Sequence, residues 1–349
     1  INQQRKFKFS IIEIHNRPGY VKQLNKYIKK SVFSLYFHND PLSMDGSKTV
    51  KERKNLLNIC YKIIFNSNWS KKRFLEGLDN KFVNSNKLEV FFQSARKGKL
   101  SFIEKKKNWI TFVGKLNKAK GYDIFSRSIK KVLNKYPNWK AKIIGDEKRE
   151  KISLNHKNAD LLGFQSHDKV LDIFKKTSIA VACSRWEEPF GRTSLEASAN
   201  GCAVIITNKG GLPETVTNAK ILKRLSDRSL ETEIINLIKN VKNRKILQTL
   251  SIENFYLTHK FVTDKIDNYR DEKLLYNKPF NIRKNKQTQR ILHITNFNER
   301  LDGRLFFNTG RRINNGFIRL GHSVLGFSDR DIQKYYKNIN DLKGAKILN

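Results

Sequence analysis

The middle of the chain alternates short, continuously apolar runs with amphipathic ones. "NWITFVG" (108–114) is apolar up to a glycine, which predicts a buried strand ending in a turn. "YDIFSRSIKKVLNKYP" (122–137) places Phe125, Ile129, Val132 and Tyr136 on one helical face, and Pro137 stops it. "WKAKIIGD" (139–146) and "ADLLGF" (159–164) read as strands, and "SHDKVLDIFKKT" (166–177) as a helix with Ser166 at its N-cap. "SIAVACS" (178–184) and "CAVIITN" (202–208) are two more strands, separated by the helix "RTSLEASANG" (192–201), which ends at Gly201. Apolar strands alternating with helices predict a parallel, doubly wound sheet over about residues 106–225. The mostly helical stretch 228–274 extends that domain to residue 275.

The flanking segments carry the same pattern less completely. "FSIIEIHN" and "SVFSLYFHND" read as strands that each end at a His-Asn pair, followed by a helix, the strand "KIIFNS" and another helix. Residues 1–105 therefore read as a partial α/β domain whose opening strands are missing, and the first residue, Ile rather than Met, is taken as a truncation. The polar, basic stretch at 276–289 has no apolar period and reads as a linker. After it, "ILHITNF" and "NTGRRINNGFIRLGHSVLGFSDRD" give strand, loop, helix, Gly-His turn and strand. A Rossmann-like domain opens in that way, so residues 290–349 are expected to begin a further one.

Composition narrows the class. With 349 residues and 38% hydrophobic content, the chain is long and apolar enough for two or three folded domains. No apolar run approaches the roughly 20 residues needed to span a bilayer. Three scattered cysteines, Cys60, Cys183 and Cys202, form neither a disulfide framework nor a zinc motif and suit a reducing cytoplasm. The formal net charge of +38 has two readings. One is attraction to a polyanion such as an anionic membrane surface; the other is a lysine-rich composition spread over every surface. No nucleic-acid-binding motif accompanies the charge, so no specific nucleic acid is expected as a partner.

The chemistry concentrates in "WEEPFGRTSLEASANGCAVIITNKGGLPE" (186–214). A parallel strand delivers this segment to the sheet's C-terminal edge, where ligands of such sheets bind. Phe190-Gly191 allows a tight turn, and the helix starting near Arg192 and Thr193 aims free N–H groups at the loop, a place for anionic oxygens. Glu196, in that helix's first turn, can accept from the vicinal hydroxyls of a ribose, and Glu188 from the hydroxyls of a sugar. The turn after the domain's first strand, "GKLNKAKG" (114–121), runs from Gly114 to Gly121 and carries Lys115 and Lys120. Lysines there can stabilise a departing diphosphate. His156, His167 and His259 read as surface residues, and His293 and His322 as strand-end or turn residues.

"FVGKLNKAKG" together with "EEPFGRTSLEASANGCAVIITNKGGLPE" resembles the retaining family-4 (group 1) glycosyltransferases, over about residues 10–275. The resemblance implies an α/β GT-B fold, two Rossmann-like domains whose parallel sheets face a cleft, here with a partial third Rossmann-like segment. It implies that Glu188 contacts the donor sugar, Glu196 the nucleotide ribose, and Lys115 and Lys120 the diphosphate. Two positions depart from the family pattern. Lys115 stands where Arg is usual, so a bidentate grip becomes a point charge, and Ala203 stands where proline is usual. "LYFHNDP" resembles the family's strand-end His-x-x-Pro segment, which makes His38 the candidate on the acceptor side, with His15 a lesser one. Residues 290–349 resemble the start of a second such unit.

The resemblance implies transfer of a sugar from a nucleotide-diphosphate donor to a glycan or lipid-linked acceptor, in cell-surface polysaccharide or lipopolysaccharide synthesis. No cofactor or metal is expected, since the donor is itself the substrate and lysines can supply the positive charge. The location expected is the cytoplasm, peripheral at the inner face of the cell membrane where the basic surface meets anionic lipid. The alternatives are a non-catalytic polyanion-binding protein on a transferase fold and a GT-B sugar-nucleotide epimerase; the latter fits the Glu-x7-Glu spacing poorly.

Overall fold

The apolar runs become strands of two parallel sheets in the computed structural model, which describes residues 11–28, 31–150, 152–276, 288–295, 297 and 309–328. In chain order the first elements are β1 (Ile11–His15), α1 (Pro18–Tyr27), β2 (Val32–Phe37), α2 (Val50–Ile59), β3 (Lys62–Phe65), α3 (Asn68–Leu75) and β4 (Leu88–Val90). There follow β5 (Lys107–Val113), α4 (Tyr122–Lys135), β6 (Lys140–Ile144), β7 (Ala159–Leu161), α5 (His167–Lys176), β8 (Thr177–Ala182), α6 (Arg192–Ala199), β9 (Ala203–Thr207) and β10 (Lys220–Leu222). The last are α7 (Asp227–Lys239), α8 (Val241–Glu253), α9 (His259–Tyr276), β11 (Arg290–Thr295), α10 (Thr309–Arg319) and β12 (Ser323–Ser328). Local chemistry sets several boundaries. Thr49 and Glu52 form a reciprocal capping box on α2, and Ser67, Ser166 and Ser226 cap α3, α5 and α7 with their hydroxyls.

The chain divides into two compact units, one of Phe92–Lys265 and one made from the segments on either side of it. The boundaries expected at 105/106 and 275 therefore move. Residues 92–105 belong with the second unit, where the Gly98 amide donates to the Ala199 carbonyl at 2.7 Å. The described residues from Ile266 on belong with the first.

The first unit's sheet has the order β12-β11-β1-β2-β3-β4. Residues 290–349 were expected to open a third unit; 296, 298–308 and 329–349 lie outside the described residues, and in the described part β11 instead pairs in parallel with β1, Ile12 opposite Leu292 and Ile14 opposite Ile294. The correction has a plain cause. A β-α-β pattern specifies its own strands but not the sheet they join, and β1, with β2 on one side, otherwise leaves a row of buried-strand N–H and C=O groups unpaired on the other.

One face of this sheet is apolar, with Ile12, Ile14, Phe33, Leu35, Phe37, Ile63 and Phe65 packed against Val21, Leu56, Leu57 and Phe74. On the other face Glu13, Ser34 and Tyr36 are polar yet buried, beside the apolar Ile64. Glu13 takes a bidentate ion pair from Arg270 of α9, at 2.9 and 3.0 Å, and accepts from the Tyr36 hydroxyl at 3.1 Å. The Ser34 and Tyr269 hydroxyls bond beside them, and the Arg270 guanidinium lies 4.4 Å over the Phe317 ring of α10.

The second unit's sheet has the order β10-β9-β8-β5-β6-β7 and is buried on both faces. Ile110, Phe112, Ile143, Ile179, Val181 and Ile205 meet α4 and α7, while Ile144, Ala180, Val204 and Ile206 meet α5 and α6. Phe125, Ile129 and Val132 of α4 are buried as the 3.6-residue period requires, and Tyr136, just past the helix, packs against the same core. The chain leaves β5 towards β6 and later returns to its other side as β8. The ends of β5 and β8 thus flank the topological switch point, where ligands of open parallel sheets bind.

Candidate active site

Two loops leave that switch point and are pinned to each other. The Ala119 carbonyl accepts the amides of Arg185 and Trp186 at 2.9 and 3.1 Å. Gly121 adopts φ 73, and a β-carbon there would sit 1.9 Å from the Cys183 carbonyl oxygen, so only glycine permits the approach. The result places Lys120 against Glu188: the ammonium and the carboxylate are ion-paired, and the ammonium sits 4.9 Å from the Trp186 ring centre. A third loop, after β9, holds Glu188 from behind. Gly211 donates its amide to the Glu188 carbonyl at 2.6 Å, and Gly210, at φ 59, would place a β-carbon 2.1 Å from the same oxygen. The repeated glycines of this segment thus let three backbones meet around one carboxylate.

Gly191, at φ 110, turns the chain into α6, and Phe190 is buried beneath it, stacked 5.9 Å from Phe92. The first amides of α6, at Arg192 and Thr193, have no partner within the helix. Glu196 Oε1 accepts from Arg192 Nη2 at 2.7 Å and is 2.9 Å from His167 Nε2. Burial works against its charge, but the His167 hydrogen bond and the Arg192 guanidinium outweigh burial and hold the carboxyl below its ordinary range. Gly114 bonds its amide to the Ile144 carbonyl at 3.0 Å, and Lys115 stands exposed in the same loop.

The structure therefore brings Lys120 and Glu188 into contact, and Arg192 and Glu196 into a second pair one helix away. His167 is the residue that the sequence reading missed by assigning it to the surface. Its signal was positional: Ser166-His167 opens a helix that follows a strand of this sheet, and such helix N-termini gather at the strand ends where ligands bind.

The first unit assembles a second cluster at the ends of β1 and β2. The His38 amide donates to Asn16 Oδ1 at 2.7 Å, its carbonyl accepts from Asn66 Nδ2 at 2.9 Å, and its Nε2 lies 2.9 Å from His15 Nδ1. His15 stacks on Tyr36 at 4.4 Å and meets His293 of β11 edge-on at 4.9 Å. Burial and the neighbouring His293 lower His38 to about 4, and burial, partly offset by a bond to Asn314, lowers His293 to about 4. His15 is also held well below the ordinary imidazole value, by burial first and then by the other two imidazoles and Arg270. All three rings are neutral at pH 7. His15 Nε2, His38 Nδ1 and His293 Nε2 are buried without a hydrogen-bond partner among the described residues. The three cysteines are buried thiols, and no helix among the described residues is long and apolar enough to cross a membrane.

Two parallel-sheet Rossmann-like units with this loop constellation define the GT-B class of α/β protein. Over residues 95–250 the chain matches the family model for glycosyl transferases group 1. Across 242 residues the chain is 25% identical to Spore coat protein SA of Bacillus subtilis, covering 62% of this chain and 64% of that protein. It is 28% identical over 153 residues to the lipopolysaccharide core biosynthesis mannosyltransferase LpsB of Rhizobium meliloti, covering 41% and 42%. The chain thus spans under two thirds of the curated relatives it matches. A crystal structure of Anabaena HepE in complex with UDP and glucose superposes with a TM-score of 0.62 at 16% identity, over 77% of this chain and 80% of that one. A glycosyltransferase structure from Rickettsia africae gives 0.63 at 18% identity, over 79% and 80%.

Proposed function

We propose that the protein is a retaining glycosyltransferase that takes a sugar from a nucleotide-diphosphate donor held by the second unit. The observation that carries the reading is the convergence of Lys120, Glu188 and the N-terminus of α6 at the switch point of the second sheet. Each part suits one portion of such a donor. The amides of Arg192 and Thr193 and the Lys120 ammonium face the diphosphate, whose charge grows as it leaves. The exposed Lys115 adds a cation at the loop. Glu188 accepts from the sugar's hydroxyls, and Glu196 from the ribose. The bond between the anomeric carbon and the diphosphate oxygen breaks with its electron pair going to the diphosphate, the acceptor hydroxyl bonds to that carbon, and its proton leaves with the diphosphate. The UDP and glucose bound by HepE, a protein of the same fold, support a donor of this class.

The first unit takes the acceptor at the strand ends that carry His38, and the acceptor is a glycan or a lipid-linked one, as the lipopolysaccharide role of LpsB suggests. A basic surface then meets an anionic membrane at the cytoplasmic face. The test is a thermal-shift panel of UDP-, GDP- and ADP-sugars, followed by release of the free nucleoside diphosphate with each binder. Stabilisation by one nucleotide series and slow donor hydrolysis are expected. A chain stabilised by none of them refutes the reading in favour of a polyanion-binding protein.

A further inference from the structure

We propose that His167 is a positioning residue that gives the donor site its selectivity for ribose over deoxyribose, an inference that rests on the donor reading of Glu196. The Glu196 side chain is 9% exposed and approached by two donors from different elements. Arg192 Nη2 comes from one turn earlier on α6, and His167 Nε2 from the first residue of α5. Both meet Oε1. Among the described residues only Oε1 accepts hydrogen bonds, so one oxygen is fixed and the other is left with its lone pairs open.

This arrangement has a specific chemical use. A vicinal diol presents two O–H donors a short distance apart, and one carboxylate oxygen can accept both. It does so reliably only if the carboxylate cannot rotate to spend that oxygen elsewhere. Arg192 alone is a weak restraint. It reaches the carboxylate from the same helix, four residues earlier, with its own side chain 31% exposed, so it restrains the carboxylate from one side only. His167 comes from a separate helix, crosses to the carboxylate from another direction, and fixes which oxygen faces the ligand. It touches Glu196 rather than the nucleotide, so its effect on the ligand is exerted through that carboxylate.

The distinguishing measurement is a ratio. Affinities of the wild-type chain for UDP, GDP and ADP are measured beside those for their 2′-deoxy counterparts, then repeated with His167→Ala and His167→Gln. The wild type is expected to prefer the ribonucleotide about tenfold, the worth of one hydrogen bond to a charged group. His167→Ala should lower ribonucleotide affinity, leave deoxynucleotide affinity near its wild-type value, and shrink the preference to about twofold. His167→Gln, which keeps a donor of similar reach, should recover most of it. An alanine variant that keeps the full preference overturns the proposal, and so does one that loses both affinities in parallel, which marks a structural role. A wild-type chain that binds none of the three nucleoside diphosphates removes the donor reading itself, and is told apart from failure of this proposal by the absence of binding before any substitution.

Discussion

Acidification should loosen the first unit in a pH range where only imidazoles titrate. His38 and His293 sit near 4 when folded, against about 6.5 when exposed in the unfolded chain. The folded values are the lower ones, so as pH falls through 6.5 the unfolded chain takes up protons that the folded chain refuses. Stability contributed by keeping these rings neutral is complete above about pH 7 and drains away as pH falls towards 4. At pH 5 the unfolded-state ring is almost fully protonated and the folded one about a tenth so, which costs about 2 kcal/mol for each of the two residues. His15 adds to the loss in the same direction. Carboxylates, with unfolded values near 4, scarcely take part above pH 5. The assay is urea denaturation at pH 7, 6 and 5, with hydrogen exchange of the β1 and β2 amides to localise the effect. His38→Gln should remove about 2 kcal/mol of the pH dependence. A first unit equally stable at pH 5 and 7, or a variant with the full wild-type slope, would refute the assignment of neutral, buried rings.

Two further outcomes follow from single contacts. Gly210→Ala must carry a β-carbon into the Glu188 carbonyl from a positive φ, so nucleotide affinity should fall while the second unit loses about 1–3 kcal/mol of stability; isothermal titration and thermal melts read the two effects. Arg270→Met strands the Glu13 carboxylate against a buried face and should cost about 3–5 kcal/mol in urea denaturation, with Glu13→Gln in the same chain restoring part of the loss.

The second unit was legible because its information is local. Each apolar run lies beside its own helix, the glycines stand at their turns, and Glu188, Glu196 and Lys120 occur in segments whose spacing fixes their place on one sheet edge. The ion pair of Lys120 with Glu188 adds only the contact between two loops already expected to meet. The first unit was less legible because its partners are remote. Glu13, in the middle of a strand read only as apolar, is buried and ion-paired to Arg270 of α9. Nothing near residue 13 announces Arg270. The same remoteness hid β11: its sequence declares a strand that opens a Rossmann-like fold, but pairing register is settled by edges, and the edge it fills belongs to β1. His167 escaped notice for a different reason, since a histidine at a helix start is unremarkable until the neighbouring helix is seen to aim a glutamate at it.

The bond between Glu13 and Arg270 joins residues 257 positions apart, while the second unit lies as one unbroken stretch between them. On a ribosome adding about 5–20 residues each second, that interval lasts roughly 13–50 s. Throughout it the strands carrying Glu13, Ser34 and Tyr36 have emerged without the helix that covers their polar face, whereas every residue of the inserted unit is available before that helix is finished. The inserted unit can therefore mature first, and the other unit waits, partly open, for its last pieces. Mutations that slow closure of the first unit would be felt in yield and in chaperone demand before they are felt in the chemistry.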